Sequence, residues 1–226
     1  MLVDGQTLES GLKLYPGRRK LSPGALFGPD GTRYVQLGWD GNLVVRDAET
    51  GGWVLQERDA GRILHLLACS SDRSTFAWVS ETADDSFVRT RRWPFTEHEA
   101  RDAIRLPGTR ARAYSLAIAD DGRIALHETA ADEPERISIW AAGERVAERA
   151  SDHGGTQRAV AWSPDGTLIA TDRDHAGIDR LLALSPTLAA RWTFALSYPC
   201  AATVSPSGEL IAVGSWERGA VLRRQS

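Results

Sequence analysis

At 226 residues, with 42% hydrophobic and 25% charged side chains, the chain has the composition of a folded globular protein, not of a disordered or fibrous one. A formal net charge of −3 and a pI near 6.0 exclude the whole-chain basicity that a nucleic-acid partner would favour. No stretch approaches the roughly 18 apolar residues of a membrane helix, the first residues lack the basic and apolar regions of a secretory leader, and a soluble, cytoplasmic protein without membrane partners is expected.

In chain order, the first element is Gly11-Leu12-Lys13-Leu14-Tyr15, which alternates like an outer strand and has no local partner. A strand then ends near Phe27, the turn Gly28-Pro29-Asp30-Gly31 follows, and a second strand runs from about Tyr34 to Gly38. Trp39-Asp40-Gly41-Asn42 forms the next turn, Leu43 to Asp47 a third strand, and Trp53 to Gln56 a fourth. A second set centres on the turn Ser70-Ser71-Asp72-Arg73, with later strands near Phe87 to Thr90 and Ala103 to Leu106. Between those strands lies a longer connection carrying Trp93-Pro94-Phe95 and His98-Glu99. The third set has its turn at Ala119-Asp120-Asp121-Gly122 and strands at Ile137 to Trp140 and Arg145 to Ala147. The fourth places Ser163-Pro164-Asp165-Gly166 before Leu168 to Ala170, Leu181 to Leu184 and Arg191 to Phe194. The fifth has Ser205-Pro206-Ser207-Gly208, then Leu210 to Val213 and Ala220 to Arg223.

The five turn signals are separated by 42, 49, 44 and 42 residues. Pro, Asp and Gly at these positions fix φ, bond the local backbone and permit the positive φ that closes a hairpin. A recurrence of this length is the signature of four-stranded units that bury their faces only on their neighbours. The expectation is a single all-β domain over residues 1–226, a β-propeller of five four-stranded blades at about 23–58, 62–106, 111–149, 157–195 and 199–225. The fifth unit has no room for a fourth strand after Arg223, and residues 11–17 are expected to supply it and close the ring. The rival is an incomplete ring that closes only by self-association.

Trp39-Asp40-Gly41-Asn42-Leu43-Val44-Val45-Arg46-Asp47, and His153-Gly154-Gly155 followed by Ala159 to Gly166, resemble degenerate repeats of the WD40-type propellers. Where that family has Trp-Asp at the end of the third strand, this chain has Arg46-Asp47, Trp140-Ala141 and Leu222-Arg223, so the family's buried His, Ser or Thr, Asp and Trp network is not expected intact in any blade. The resemblance implies a multivalent protein or peptide interaction scaffold that binds through a loop face. Asp4 to Gly11 and Asp40 to Val45 are also similar to stretches of the monocot mannose-binding lectins. There Gly38 and Arg46 replace the family's sugar-bonding Gln and Tyr, which breaks the hydrogen-bond set of a lectin.

Signals for catalysis are weak. His65 and His127 sit in apolar strands as structural histidines, and Glu97-His98-Glu99 lacks the second histidine of a zinc helix. Asp172-Arg173-Asp174-His175-Ala176-Gly177-Ile178-Asp179 collects oxygen ligands and an imidazole, but misses the calcium-loop pattern and reads as a turn. No Gly-x-Ser-x-Gly elbow or phosphate loop occurs, and Cys69 and Cys200 are too few for a thiolate zinc site and read as buried free thiols. No enzyme, cofactor or metal is expected; a propeller hydrolase or lyase is the alternative.

The second-to-third-strand turns of all blades share one face. Blades one and five, neighbours in a closed ring, bring Trp39 and Asp40 beside Trp216 and Glu217, a candidate aromatic platform. Arg173 and His175 join them from blade four. Glu81, Asp84, Asp85, Asp132, Glu133, Glu135, Asp172 and Asp174 outnumber Arg173 and Arg218 there, so the face is expected to be acidic and to favour a basic peptide over nucleic acid.

Overall fold

Each of the five turn signals folds into the same corner. In the computed structural model, which describes residues 25–38, 42–58, 63–82, 84–95, 102–108, 111–131, 133–151, 158–173, 178–196, 199–215 and 220–223, a backbone N–H reaches back three residues at every one. These bonds run Gly31 to Gly28, Arg73 to Ser70, Gly122 to Ala119, Gly166 to Ser163 and Gly208 to Ser205, at 2.8–3.1 Å. The donor residue has positive φ in all five, 69° at Gly31 and 84° at Gly122, with Arg73 at 58° the one position that carries a side chain. One residue earlier a short side chain caps the corner: Asp30 accepts from the Thr32 N–H, Asp72 from Ser74, Asp121 from Arg123 and Asp165 from Thr167, all at 2.8–3.1 Å. In the fifth corner Ser207 stands in the place of the Asp, its hydroxyl 3.4 Å from the Glu209 N–H.

Among the described residues these corners organise five antiparallel sheets. Blade one is β1 (Leu26–Phe27), β2 (Arg33–Leu37), β3 (Asn42–Asp47) and β4 (Trp53–Arg58). Blade two is β5 (Ile63–Cys69), β6 (Thr75–Glu81), β7 (Ser86–Arg92) and β8 (Asp102–Arg105). Blade three is β9 (Arg112–Ile118), β10 (Ile124–Ala130), β11 (Glu133–Ala141) and β12 (Glu144–Ala150). Blade four is β13 (Val160–Trp162), β14 (Leu168–Arg173), β15 (Asp179–Leu184) and β16 (Ala190–Ala195). Blade five has three described strands, β17 (Pro199–Val204), β18 (Leu210–Ser215) and β19 (Ala220–Arg223). Within each blade consecutive strands pair in sequence order. The first strands of successive blades lie against one another, β1 by β5, β5 by β9, β9 by β13 and β13 by β17, which sets them innermost. The protein is a five-bladed β-propeller. Residues 11–17, expected as the closing strand, lie outside the described residues.

The core is a series of layers between blades. Val35, Leu37 and Val45 of blade one meet Phe76 and Trp78 of blade two, where Trp93 and Phe95 add an aromatic cluster. Val79 and Val88 meet Ile124 and Leu126 across the next junction, and Ile137 and Ile139 meet Leu182 and Leu184 across the third. Ile169, Leu181 and Ala183 meet Ile211 and Val213 at the fourth. Every blade between two others therefore needs apolar residues on both faces, and β6, β10, β14 and β15 accordingly read as near-continuous buried runs. Each fully buried aliphatic side chain contributes about 1.5–3 kcal/mol, so these layers supply most of the driving force. Cys69 is a free, half-buried thiol, and burial pushes its pKa up.

Candidate functional site

The face opposite the five corners carries the second-to-third-strand turns and the connections between blades. Of the residues expected to bind there, Trp39, Asp40, His175, Trp216 and Glu217 lie outside the described residues, as do Asp132, Asp174 and Arg218. Arg173 is described. It ends β14 and clamps the turn of blade four, with Nε 2.8 Å from Asp179 Oδ1 and Nη2 3.3 Å from Oδ2. Asp172, one residue back and buried, accepts from Ser151 Oγ at 2.8 Å and from Arg180 Nη2 at 3.4 Å. The stretch singled out for its oxygen ligands is thus tied by arginines at both ends. Among the described residues no group of three or more His, Cys or acidic side chains converges as a metal centre requires.

Arginines reach most of the other described carboxylates of this face as well. Asp85 Oδ1 binds Arg105 through Nε at 3.0 Å and Nη2 at 2.6 Å. Glu133 binds Arg136, and Glu135 binds Arg158. The rim that residue counting makes acidic is, over its described part, a lattice of neighbouring opposite charges. Such a lattice has a short-ranged field and positions its loops more than it steers a distant ligand.

Sequence reasoning did not single out the most constructed part of the face, the seam between blades three and four. Arg158, just before β13, places Nε and Nη2 on the two carboxylate oxygens of Glu135. His127 Nε2 lies 2.8 Å from Glu135 Oε1, with the imidazole wholly buried in β10. The Arg158 guanidinium also lies 3.7 Å from the ring centroid of Tyr114, an exposed residue of β9. Burial alone would raise the Glu135 pKa, but the hydrogen bonds from Arg158 and His127 outweigh it and hold the carboxylate below its ordinary range. The group is an aromatic surface backed by a buried ion pair.

Glu135 and Arg158 are 23 residues apart and meet only because β11 faces the start of β13 across the seam. No local motif announces that. The available signal was Tyr114 itself, a large aromatic in Arg112-Ala113-Tyr114-Ser115, where inner strands otherwise favour small residues. A second tie crosses the seam from Ser151 Oγ of blade three to Asp172 Oδ1 of blade four at 2.8 Å, while the Ser151 N–H bonds the Glu135 carbonyl within blade three and the Ala159 N–H bonds Thr171 Oγ1 within blade four, each at 2.8 Å. Trp140, at the end of the third strand, donates to Ser138 Oγ at 2.9 Å and packs toward blade two, so it takes no part in the His127 cluster. Ser115 pairs with His127 in the β9–β10 ladder, but its buried hydroxyl has no hydrogen-bond partner among the described residues.

No family model matches the chain, and no curated protein matches it. Solved structures do. The β-propeller domain of Cps50 (Swd1) from Myceliophteria thermophila is similar with a TM-score of 0.65 at 14% identity, over 89% of this chain and 65% of that one. Hydrazine synthase from Kuenenia stuttgartiensis gives 0.67 at 15% identity, over 90% and 71%. The Dos1 propeller gives 0.62 at 13% identity, over 88% and 54%. The chain therefore spans less than two thirds of the Swd1 and Dos1 chains. At these identities the likeness speaks to the fold alone.

Proposed function

We propose that this propeller is a non-catalytic scaffold that binds a protein or peptide through its loop face. The observation that carries the reading is Tyr114, an exposed aromatic whose inner side is fixed by Arg158, itself held by Glu135, which His127 contacts in turn. A contact group whose conformation is set before the partner arrives loses little entropy on binding, and Tyr and Arg are the residue types that dominate binding hot spots. The repeat spacing supports a degenerate WD40-type origin, and the propellers of Swd1 and Dos1 share the fold. A basic partner is favoured by Asp40, Asp132, Asp174 and Glu217, which belong in sequence to the same turns and add to Asp84, an exposed carboxylate. A cytoplasmic location goes with the two unpaired thiols of the sequence reading.

The test is an array of synthetic 15-residue peptides in three classes, Lys/Arg-rich, neutral and acidic. Binding by the basic class is expected, and Tyr114→Ala should weaken it at least about tenfold. A Trp39→Ala, Trp216→Ala double substitution should weaken it further while the β-rich circular-dichroism spectrum is kept. Unchanged affinity in all variants would remove the loop face from the account.

Among the described residues the hydrolase alternative can draw on Ser115, His127 and Glu135. A fluorophosphonate probe that labelled Ser115 would favour it; the buried hydroxyl argues for no labelling.

A further inference from the structure

With the first strands innermost, the fourth strand is the outer edge of its blade, and such an edge has to be guarded against pairing with another chain. Three of the four described here carry the usual charged guards. β4 ends on Glu57 and Arg58, β8 begins with Asp102 and ends with Arg105, and β12 spreads Glu144, Arg145, Glu148 and Arg149 along its length. β16 differs. All six of its residues, Ala190-Arg191-Trp192-Thr193-Phe194-Ala195, are exposed, and its one charge is turned back onto its own blade, where Arg191 Nη1 donates to Thr167 Oγ1 at 2.7 Å. Trp192 and Phe194 lie opposite Ala183 and Leu181 on the side toward blade five, and remain 36% and 44% exposed.

The Leu196 N–H bonds the Asp179 carbonyl at 3.1 Å, so by the alternation of an antiparallel ladder the N–H and C=O of Thr193 and Ala195 point away from β15. Among the described residues no strand receives them. We infer that a second copy of the chain does, β16 pairing antiparallel with β16 about a twofold axis at Thr193. In that register Thr193 meets Thr193 and Ala195 meets Arg191 as hydrogen-bonded pairs. Trp192 of each copy then meets Phe194 of the other at the closer, non-hydrogen-bonded positions, where cross-strand aromatic pairs stabilise a sheet. Centring on Trp192 instead would leave both phenylalanines opposite Ala190. Charge favours the same choice: each Arg191 faces an alanine, whereas the same operation on β12, centred on Ala147, would set Arg145 against Arg149 twice. The joint sheet grows outward from both rings, so the two propellers do not collide. Two Trp and two Phe, with rings of about 150–250 Å² each and already partly covered, plus two six-residue strand edges, come near the roughly 1,000 Å² at which specific interfaces begin. That area fits a reversible dimer of micromolar strength.

The test is sedimentation velocity of the full chain from about 1 to about 100 µM, which should show monomer and dimer in exchange. The Thr193 and Ala195 amides should exchange at least about tenfold slower at the high concentration than at the low one. Thr193→Lys and Thr193→Glu each set like charges face to face on the axis and should weaken the dimer at least about tenfold. An equal mixture of the two variants should restore it, because Lys then meets Glu. Thr193 is exposed, so neither change disturbs the core, and Val146→Lys, at a site on β12 that is 57% exposed, should leave association unaltered. A chain that stays monomeric at the highest concentration, a dimer indifferent to charge at position 193, or a mixture no tighter than either variant alone would each overturn the assignment. Protection of Thr193 and Ala195 in the monomer would overturn it too, and would give the edge to the chain's own residues.

Discussion

The two faces of blade three each bury a glutamate from neighbouring strands, and they treat it in opposite ways. Glu135 faces blade four and is met by the guanidinium of Arg158 in two-point geometry and by His127. Glu128, 3% exposed on the face toward blade two, has Arg136 Nε and Arg145 Nη1 near Oε1, both at 3.7 Å and beyond hydrogen-bond reach. Burial pushes the Glu128 pKa above its ordinary 4.5, and the Ser138 hydroxyl and the two arginines offset only part of the rise. The net direction for Glu135 is downward. A desolvated carboxylate can therefore shift in either direction, depending on how deeply it is buried and on whether the cation arrives with its donors aimed.

The largest expected effect follows from breaking the well-aligned side. Arg158→Ala leaves Glu135 buried beside a histidine alone and removes the stack on Tyr114, and should cost about 3 kcal/mol in urea unfolding at pH 7. Glu135→Gln should cost about 2 kcal/mol at pH 7, with a signature in pH. Because the folded-state pKa is depressed, the stabilisation by the carboxylate is complete above 4.5 and is lost as pH falls through the lower folded value. Wild type and Glu135→Gln should thus converge in acid and separate at neutrality. Curves that stay parallel from pH 3 to 7 would show that the alignment carries no weight.

What could be read from the residues alone follows the range of the interaction. Gly28, Ala119, Ser163 and Ser205 took their places at matching corners because Pro, Asp and Gly act within four residues, where spacing in sequence is spacing in space. The apolar strands were legible for the same reason, since period and burial are properties of one segment. The Glu135–Arg158 pair was not, because it depends on which side of β11 meets the next blade. Counting charges on the turns gave an acidic rim by the same blindness: Asp85 and Glu133 were counted, but their partners Arg105 and Arg136 were not. The aromatic platform of Trp39 and Trp216 stays a reading of the sequence, as both residues lie outside the described ones.

On the poorly aligned side the expected sign is reversed. A carboxylate whose folded pKa is raised is a cost once ionised, absent below 4.5 and complete above the folded value. Glu128→Gln keeps the shape and the hydroxyl contact with Ser138 while removing the charge. It should stabilise the fold by about 1 kcal/mol at pH 7 and by nothing at pH 4, compared by thermal melting. A loss as large as that of Glu135→Gln would mean that Arg136 and Arg145 close onto the carboxylate in solution, and the contrast between the two faces would disappear.

The smallest effect isolates geometry from burial. Arg105 aims the same two donors, Nε and Nη2, at Asp85 that Arg158 aims at Glu135, though both converge on Oδ1, at 3.0 and 2.6 Å, and its side chain is 69% exposed. Water already solvates both groups and salt screens them, so alignment alone should be worth little. Arg105→Ala should change stability by less than about 0.5 kcal/mol, and that difference should vanish in 1 M NaCl, whereas the loss in Arg158→Ala should persist there. If the exposed pair proved as costly to remove as the buried one, aligned donors would be sufficient without the desolvated seam, and the rigidity ascribed to Tyr114 would extend to the rim of blade two as well.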